Sequence, residues 1–219
     1  SGYEEQRVRA RSDEVIKKHY RRVGSRLAEL WRSDGGFDLL ILGGSDVHVA
    51  GTLAELPPDV AGGLAGSFTI DPGTMTPAIV LAHATDVAQE WEAENEQRLV
   101  AELFDTAASG GAATLGLESV CAAVNRRAVD VLFVQVGHAV PGSACHSCGW
   151  VSCRIEPDCP ACGEPHAPVP QLADRLGEPV RAAGGTVQHI LNESPLAEVE
   201  VGEMGAEQEE ALRVLGYVD

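Results

Sequence analysis

The chain has 219 residues, 44% of them apolar and 5% aromatic, with a formal charge of −17 at pH 7. That length admits one large domain or two small ones with an ordinary core, and the acidity argues against indiscriminate nucleic-acid binding. There is no long apolar run and nothing resembling a secretory leader, so a cytoplasmic protein with no membrane partner is expected.

The charge is unevenly spread. Residues 1–32 hold nine Lys/Arg against five Asp/Glu, a net +4, and the remainder holds seven against twenty-eight, a net −21. Within the basic part, residues 12–33 predict an amphipathic helix, with Ile16, Tyr20, Val23, Leu27 and Leu30 at alternating steps of four and three lining its packed face. Ser12 is a plausible N-cap, followed by Asp13 and Glu14 at the positive helix end. Lys17, Lys18, Arg21, Arg22 and Arg26 occupy much of the remaining surface, and Arg7, Arg9 and Arg11 precede it in an arm with little apolar content. The arm is expected to be mobile in isolation. Arm and helix together are suited to grip phosphates, with binding that weakens steeply in salt. The competing reading is a solvated helix face on an acidic protein.

Gly35-Gly36 ends this helix, and Phe37–Leu42 reads as a buried strand closed by the turn Gly43-Gly44-Ser45-Asp46. The turn lacks the glycine spacing of a dinucleotide site and the lysine of a phosphate-binding loop, so it reads as a plain strand-to-helix connection. Val47–Leu56 predicts a short helix stopped by Pro57-Pro58, and Leu64–Ile70 a second strand before Asp71-Pro72-Gly73. From Thr76 a helical region runs to about Ala107, with a break expected between Trp91 and Asn95. Glu90, Glu92, Glu94 and Glu96 alternate there and do not converge on a helix, so they read as a solvated link between two domains.

Gly116–Arg127 predicts a helix with Cys121 on its apolar face, and Val129–Val136 a strand. The strongest chemical signal follows: Cys145-His146-Ser147-Cys148 and Cys159-Pro160-Ala161-Cys162, each pair followed by glycine (Gly149, Gly163). Two C-x-x-C pairs across a short loop bring four thiolates onto one tetrahedral ion, and the glycines suit knuckle turns whose amides face sulfur. Four cysteines favour a closed, structural zinc site over a catalytic one. A pair of disulfides is the alternative, and it requires an oxidising compartment. His146, Cys153 and His166 are close enough in sequence to replace one ligand. Pro168–Ala183 then reads as a helix, Thr186–Leu191 as a strand, Glu198–Val201 as a possible extension of the sheet, and Glu207–Val214 as a last helix. This alternation suggests a three-layer α/β domain. His189 falls in a strand pattern as a packed or surface residue, and no nucleophile-elbow or Cys–His catalytic signature is present.

The order of these pieces resembles a known family. The basic helix Lys17-Lys18-His19-Tyr20-Arg21-Arg22-Val23, the strand and turn Leu39–Asp46, Glu96–Phe104, Ala113–Val120, Val129–Val136 and the ending Leu212–Tyr217 carry the likeness. The chain resembles the middle and C-terminal domains of archaeo-eukaryotic peptide-chain release factors and Pelota, and more closely their bacterial relatives, which include the Balon-type ribosome-hibernation factors. The resemblance implies an RNase H-like middle domain at residues 1–90 with the basic helix. It implies an L7Ae-like α/β/α domain at residues 91–219, with an inserted zinc-ribbon loop at 145–163. It further implies binding to the ribosome and rRNA through Arg7, Arg9, Arg11, Lys17, Lys18, Arg21, Arg22 and Arg26, and a translational GTPase or ribosomal stalk protein as partner.

The family carries Gly-Gly-Gln just before the basic helix, where the glutamine amide acts at the peptidyl-tRNA ester. Aligning the helices places Ser1-Gly2-Tyr3 there, with Gln6 three residues on. The motif is not intact, and the chain opens without a methionine, so an N-terminal portion is expected beyond it. Three functions follow: a ribosome-associated factor in rescue, hibernation or stress; a peptidyl-tRNA ester hydrolase acting through Gly2, Tyr3 or Gln6; or a zinc-stabilised interaction module with no ribosomal role.

Overall fold

The computed structural model describes residues 2–71 and 73–199, with residues 2–6, 8 and 9 described by their backbone alone. The chain divides into two compact units, one up to Glu94 and one from Asn95. Among the described residues, no helix is long and apolar enough to cross a membrane.

The first unit opens with helix α1 (Gly2–Trp31), followed by strand β1 (Leu40–Gly44), helices α2 (Asp46–Leu53) and α3 (Pro58–Ala61), and strand β2 (Leu64–Thr69). The two strands are parallel neighbours with α2 and α3 in the crossover, and the register shifts once, between Leu40 and Ile41. Such a connection needs a helix-length detour, which the Val47–Leu56 segment supplies. The core is small: Ala28, Leu40 and Val60 are buried, with Leu27, Trp31, Phe37, Leu42, Leu56 and Leu64 around them. Trp31 meets Phe37 edge-on, ring centroids 5.0 Å apart, and its indole lies so close over Gly63 that no side chain would fit there.

Two expectations for α1 are corrected. Helical backbone begins at Gly2, so Arg7, Arg9 and Arg11 stand on helix rather than on an unstructured arm, and Ser12 is interior to it. The segment holds no proline after Gly2 and is rich in Arg and Glu, which have good helix propensity. Ile16 is 44% and Leu30 41% exposed, so the packed stripe narrows to Tyr20, Val23, Gly24, Leu27, Ala28 and Trp31. The periodic pattern runs further than the neighbouring elements that cover it.

Helix α4 (Pro77–Ala108) is unbroken, contrary to the break expected between Trp91 and Asn95. No glycine or proline interrupts the sequence from Ala78 to Ala108, and alanines dominate, so nothing ends the helix there. The second correction is chemical. Glu90, Glu92 and Glu94 are exposed, but Glu96 is 6% exposed and is a structural anchor rather than part of a solvated link.

The second unit continues with α5 (Leu117–Asn125), β3 (Val131–Gln135), β4 (Gly142–Cys145), β5 (Val151–Ser152), β6 (His166–Val169), α6 (Leu172–Ala182), β7 (Thr186–Ile190) and a 3-10 turn at Pro195–Glu198. β3 and β7 form a parallel pair in register from Val131 with Thr186 to Gln135 with Ile190, and β5-β4-β6 is a separate antiparallel sheet. One core serves both sheets. Cys121 and Val124 of α5, Leu132 of β3, Ala144, Val151 and Val169 of the three-stranded sheet, and Leu172, Leu176 and Val180 of α6 form a single buried cluster.

The helix expected from Pro168 begins four residues later, at Leu172, and Pro168-Val169 lies in β6. Pro168 and Pro170 push the residues before them into extended backbone, and Pro168 is tolerated on an edge strand because it has no N–H to offer. Glu198 closes the 3-10 turn instead of extending the sheet. Glu200, Val201 and the expected helix at Glu207–Val214 lie outside the described residues.

Glu96 fastens α4 to the end of β7. Its carboxylate accepts the Leu191 amide (3.2 and 3.1 Å to Oε1 and Oε2), and Oε2 also accepts the Asn192 amide (3.0 Å) and Asn192 Nδ2 (2.9 Å). Burial alone would raise its pKa, but the Asn192 amide and side chain and the Leu191 amide outweigh that and hold the carboxyl below its ordinary value. A lowered folded-state pKa means that this stability is present above the unfolded-state value of about 4.3 and is lost as pH falls through the folded one. Glu96→Gln turns an amide NH2 towards donors and should cost about 1–3 kcal/mol at pH 7. Urea unfolding of wild type and variant across pH 3–7 checks this: the gap should close at the acid end, and a constant gap would show that the charge plays no part.

Candidate metal centre and basic helix face

Each cysteine pair is built the same way. The Cys145 amide donates to Trp150 O (2.8 Å) and Gly149 N donates back to Cys145 O (3.0 Å). In the second knuckle the Cys159 amide donates to Glu164 O (2.8 Å) and Gly163 N to Cys159 O (2.8 Å). Gly149 and Gly163 have φ of +77° and +75°, a conformation in which a side chain is strained. The sequence C-x-x-C-G therefore specifies the turn as well as the ligands.

The four sulfur atoms of Cys145, Cys148, Cys159 and Cys162 lie within 4.8 Å of one another. The two cross-knuckle pairs, Cys145 with Cys162 and Cys148 with Cys159, are each 3.5 Å apart. A tetrahedral zinc with bonds of about 2.3 Å separates its sulfurs by about 3.8 Å, so the cage has the right size. Amides of Cys148 and Ser147 donate to Cys145 Sγ and bring its pKa down to about 7. At Cys162 the Glu164 amide also favours the thiolate, but lost hydration and the neighbouring sulfurs outweigh it and push the thiol up to about 12. Four sulfurs this close can all be ionised only with a cation among them. The group can hold a metal ion.

The three alternative ligands stand apart from this group. His146 is exposed. His166 is buried with Nδ1 3.0 Å from Ser143 Oγ and Nε2 3.3 Å from Trp150 O, so its ring braces β6 against β4 and the first knuckle. Cys153 packs against the core cluster that contains Cys121.

Asn125 was not legible in the sequence as a site residue. Its Nδ2 donates to Val151 O (2.8 Å) and its Oδ1 accepts Val151 N (3.0 Å). It serves as a one-residue strand partner on the open edge of β5 and ties α5 to the first knuckle. The opposite edge is occupied too, where the His166 amide donates to Pro157 O (2.9 Å).

The sequence-predicted phosphate grip sorts into two groups. Glu55 holds Lys17 (3.7 Å) and Arg21 (3.0 Å), and Glu29 holds Arg26 (2.7 Å). Arg32 forks onto Asp59 with two 2.8 Å bonds and keeps that carboxyl below its ordinary pKa. Arg7, Arg11, Lys18 and Arg22 are exposed and have no ion pair among the described residues. Their spacing of four, seven and four places the four cations within about 60° of one helix face and over about 22 Å of its length, with Glu14 about 20° beyond the edge of that arc. Arg9 stands on the same helix, while Gly2, Tyr3 and Gln6 sit on helical backbone in its first turns.

Residues 1–90, which span α1 to the first turns of α4, match the family model described as bacterial archaeo-eukaryotic release factor family 10. The likeness to the release-factor family is thereby shown. Among solved structures, the C-terminal domain of a peptide chain release factor from Methanosarcina mazei is similar at 19% identity and a TM-score of 0.38, over 60% of this chain and 88% of that one. No curated protein matches. The exposed cations of α1 thus lie inside the stretch that carries the release-factor likeness, and the metal centre lies outside it.

Asn125→Ala leaves the amide and carbonyl of Val151, a residue 2% exposed, without their partner. The loss should be about 1–3 kcal/mol in chemical denaturation, and a neutral result would show that Asn125 is not what closes the edge of β5.

Proposed function

We propose that this release-factor-like chain is a ribosome-associated translation factor, with the free face of α1 as its contact to rRNA phosphates. The carrying observation is the coincidence of two features: residues 1–90 match the release-factor family, and the same residues present Arg7, Arg11, Lys18 and Arg22 along one helix face with no ion pair among the described residues. A body of strongly acidic composition repels nucleic acid elsewhere, so one basic stripe also orients the encounter. In this reading residues 1–90 act as the RNase H-like middle domain and residues 91–219 as the L7Ae-like domain that meets a translational GTPase or stalk protein. The setting is ribosome rescue, hibernation or stress. A translation-related role of release-factor type is the part the family match supports directly.

The test is co-sedimentation of the chain with ribosomes over a salt series. Affinity should fall steeply with salt, and the combined Arg7→Gln, Arg11→Gln, Lys18→Gln, Arg22→Gln variant should reduce the logarithmic slope by roughly 0.7–0.9 for each phosphate that is no longer neutralised. Arg26→Gln, whose charge Glu29 already meets, should change little. Unaltered binding by the fourfold variant would remove α1 as the footprint.

We further infer that the ion held by Cys145, Cys148, Cys159 and Cys162 is zinc in a structural role. The donor set is four soft sulfurs at tetrahedral spacing with amide donors behind them, and it leaves no position for substrate. Zinc would brace β4, β5 and β6 and, through Ala144, Val151 and Val169, the core they share with α5 and α6. One zinc per chain by elemental analysis, and a large fall in thermal midpoint on chelation, are the expected results. Structural zinc in small domains is worth on the order of 10 kcal/mol, so an unchanged midpoint would refute the role.

A further inference from the structure

We propose that the four-cysteine cluster is also an oxidation site for hydroperoxides, closing into the two cross-knuckle disulfides Cys145–Cys162 and Cys148–Cys159 and so releasing its metal. The proposal rests on the reading of the cluster as a zinc site and adds a reaction to it. The observation that carries it is an asymmetry of exposure. Cys148 and Cys162 are exposed, whereas Cys145 and Cys159 are 3% and 2% exposed. Each 3.5 Å cross-knuckle approach joins one exposed sulfur to one buried sulfur.

That pairing supplies both parts of a disulfide-forming reaction. The exposed thiolate attacks a peroxide oxygen: an S–O bond forms, the O–O bond breaks, and hydroxide leaves with its electron pair. The buried thiolate of the same pair then attacks the oxidised sulfur: the S–S bond forms, the S–O bond breaks, and a second hydroxide leaves. Two such reactions consume four thiolates and two hydrogen peroxide molecules, yielding two disulfides and four hydroxide ions. No thiolate then remains to hold the ion. Each pair of sulfurs moves together by about 1.5 Å to reach bonding distance. Water-borne oxidant reaches only one member of each pair, and the other is placed to resolve it before further oxidation.

Cys121 and Cys153 provide an internal control. Cys121 is part of the buried core cluster, and Cys153 packs against it. Cys121 is buried and Cys153 half-buried, whereas Cys148 and Cys162 are exposed, and neither Cys121 nor Cys153 belongs to the four-sulfur group that holds the ion, so these two should stay reduced while the cluster reacts.

The experiment uses the full chain, with zinc content measured first. Hydrogen peroxide is added in steps, released zinc is read with a chromogenic chelator, and remaining thiols are alkylated under denaturing conditions before trypsin digestion. Arg154 lies between the knuckles, so cross-knuckle disulfides join the peptide ending at Arg154 to the one ending at Arg175, whereas links within a knuckle join nothing. The expected result is a fall from six thiols per chain to two, with zinc released in step, joined peptides mapping to the two proposed pairs, and alkylated Cys121 and Cys153. Links within the knuckles, links to Cys153, or a cluster that keeps four thiols where free glutathione is fully oxidised would overturn the proposal. A chain that carries no zinc at the start would instead overturn the zinc assignment, and the peptide map would still decide the pairing.

Discussion

Four sulfur atoms within 4.8 Å of one another bring the two knuckles of the second unit together. A strand of four residues, one of two and another of four cannot form a stable sheet by their own hydrogen bonds. Here the sheet contributes Ala144, Val151 and Val169 to a core completed by two helices and β3. The cysteines fix the turns at one end of the sheet, and the shared core fixes its face. Asn125 and the Pro157 carbonyl occupy its edges. The cluster is therefore built onto a sheet that shares its core with α5 and α6, rather than onto an isolated loop.

Glu96 does for the other sheet what the cysteines do for the ribbon. A parallel pair of strands needs cover and needs its ends satisfied. α6 supplies the cover through Leu172, Leu176, Gly177 and Val180, spaced to face one side. The chain leaving β7 turns its amides at Leu191 and Asn192 outwards, and a single carboxylate on α4 accepts both. On the far side Gln135 donates to the carbonyls of Ile190 and Asn192, while Ser194 donates to Gln135 Oε1 (2.6 Å). The end of β7 is thus held from both sides by side chains that are distant in sequence.

That distance explains what the sequence reveals and what it hides. The knuckles were legible because their ligands, spacing and glycines all fall within five residues, and local geometry alone decides them. The strands at Leu40, Leu64, Val131 and Thr186 were legible as short apolar runs between turn residues. Glu96 was not, because its partners lie 95 and 96 residues away and nothing in an alternating Glu run marks the one that turns inwards. Asn125 reads as an ordinary helix-end residue until a strand is placed beside it. The helix expected at Pro168 failed against a local rule that outranked periodicity, two prolines spaced by one residue. Ile16 failed for the opposite reason: the period was right, but that turn of the helix leaves the side chain 44% exposed.

The same logic separates the cations of α1. Nine Lys and Arg residues within 32 read as one basic patch, but acidic side chains from α1 itself and from the loop and helix after α2 neutralise those that face the body. Glu55 takes Lys17 and Arg21, and Asp59 takes Arg32. Exposed ion pairs of this kind add little stability; their consequence is to subtract charge from one side of the helix. Among the described residues, Arg7, Arg11, Lys18 and Arg22 have no ion pair, and they follow one another at steps of four, seven and four. The pattern of pairing, more than the number of basic residues, is what makes this face of α1 directional.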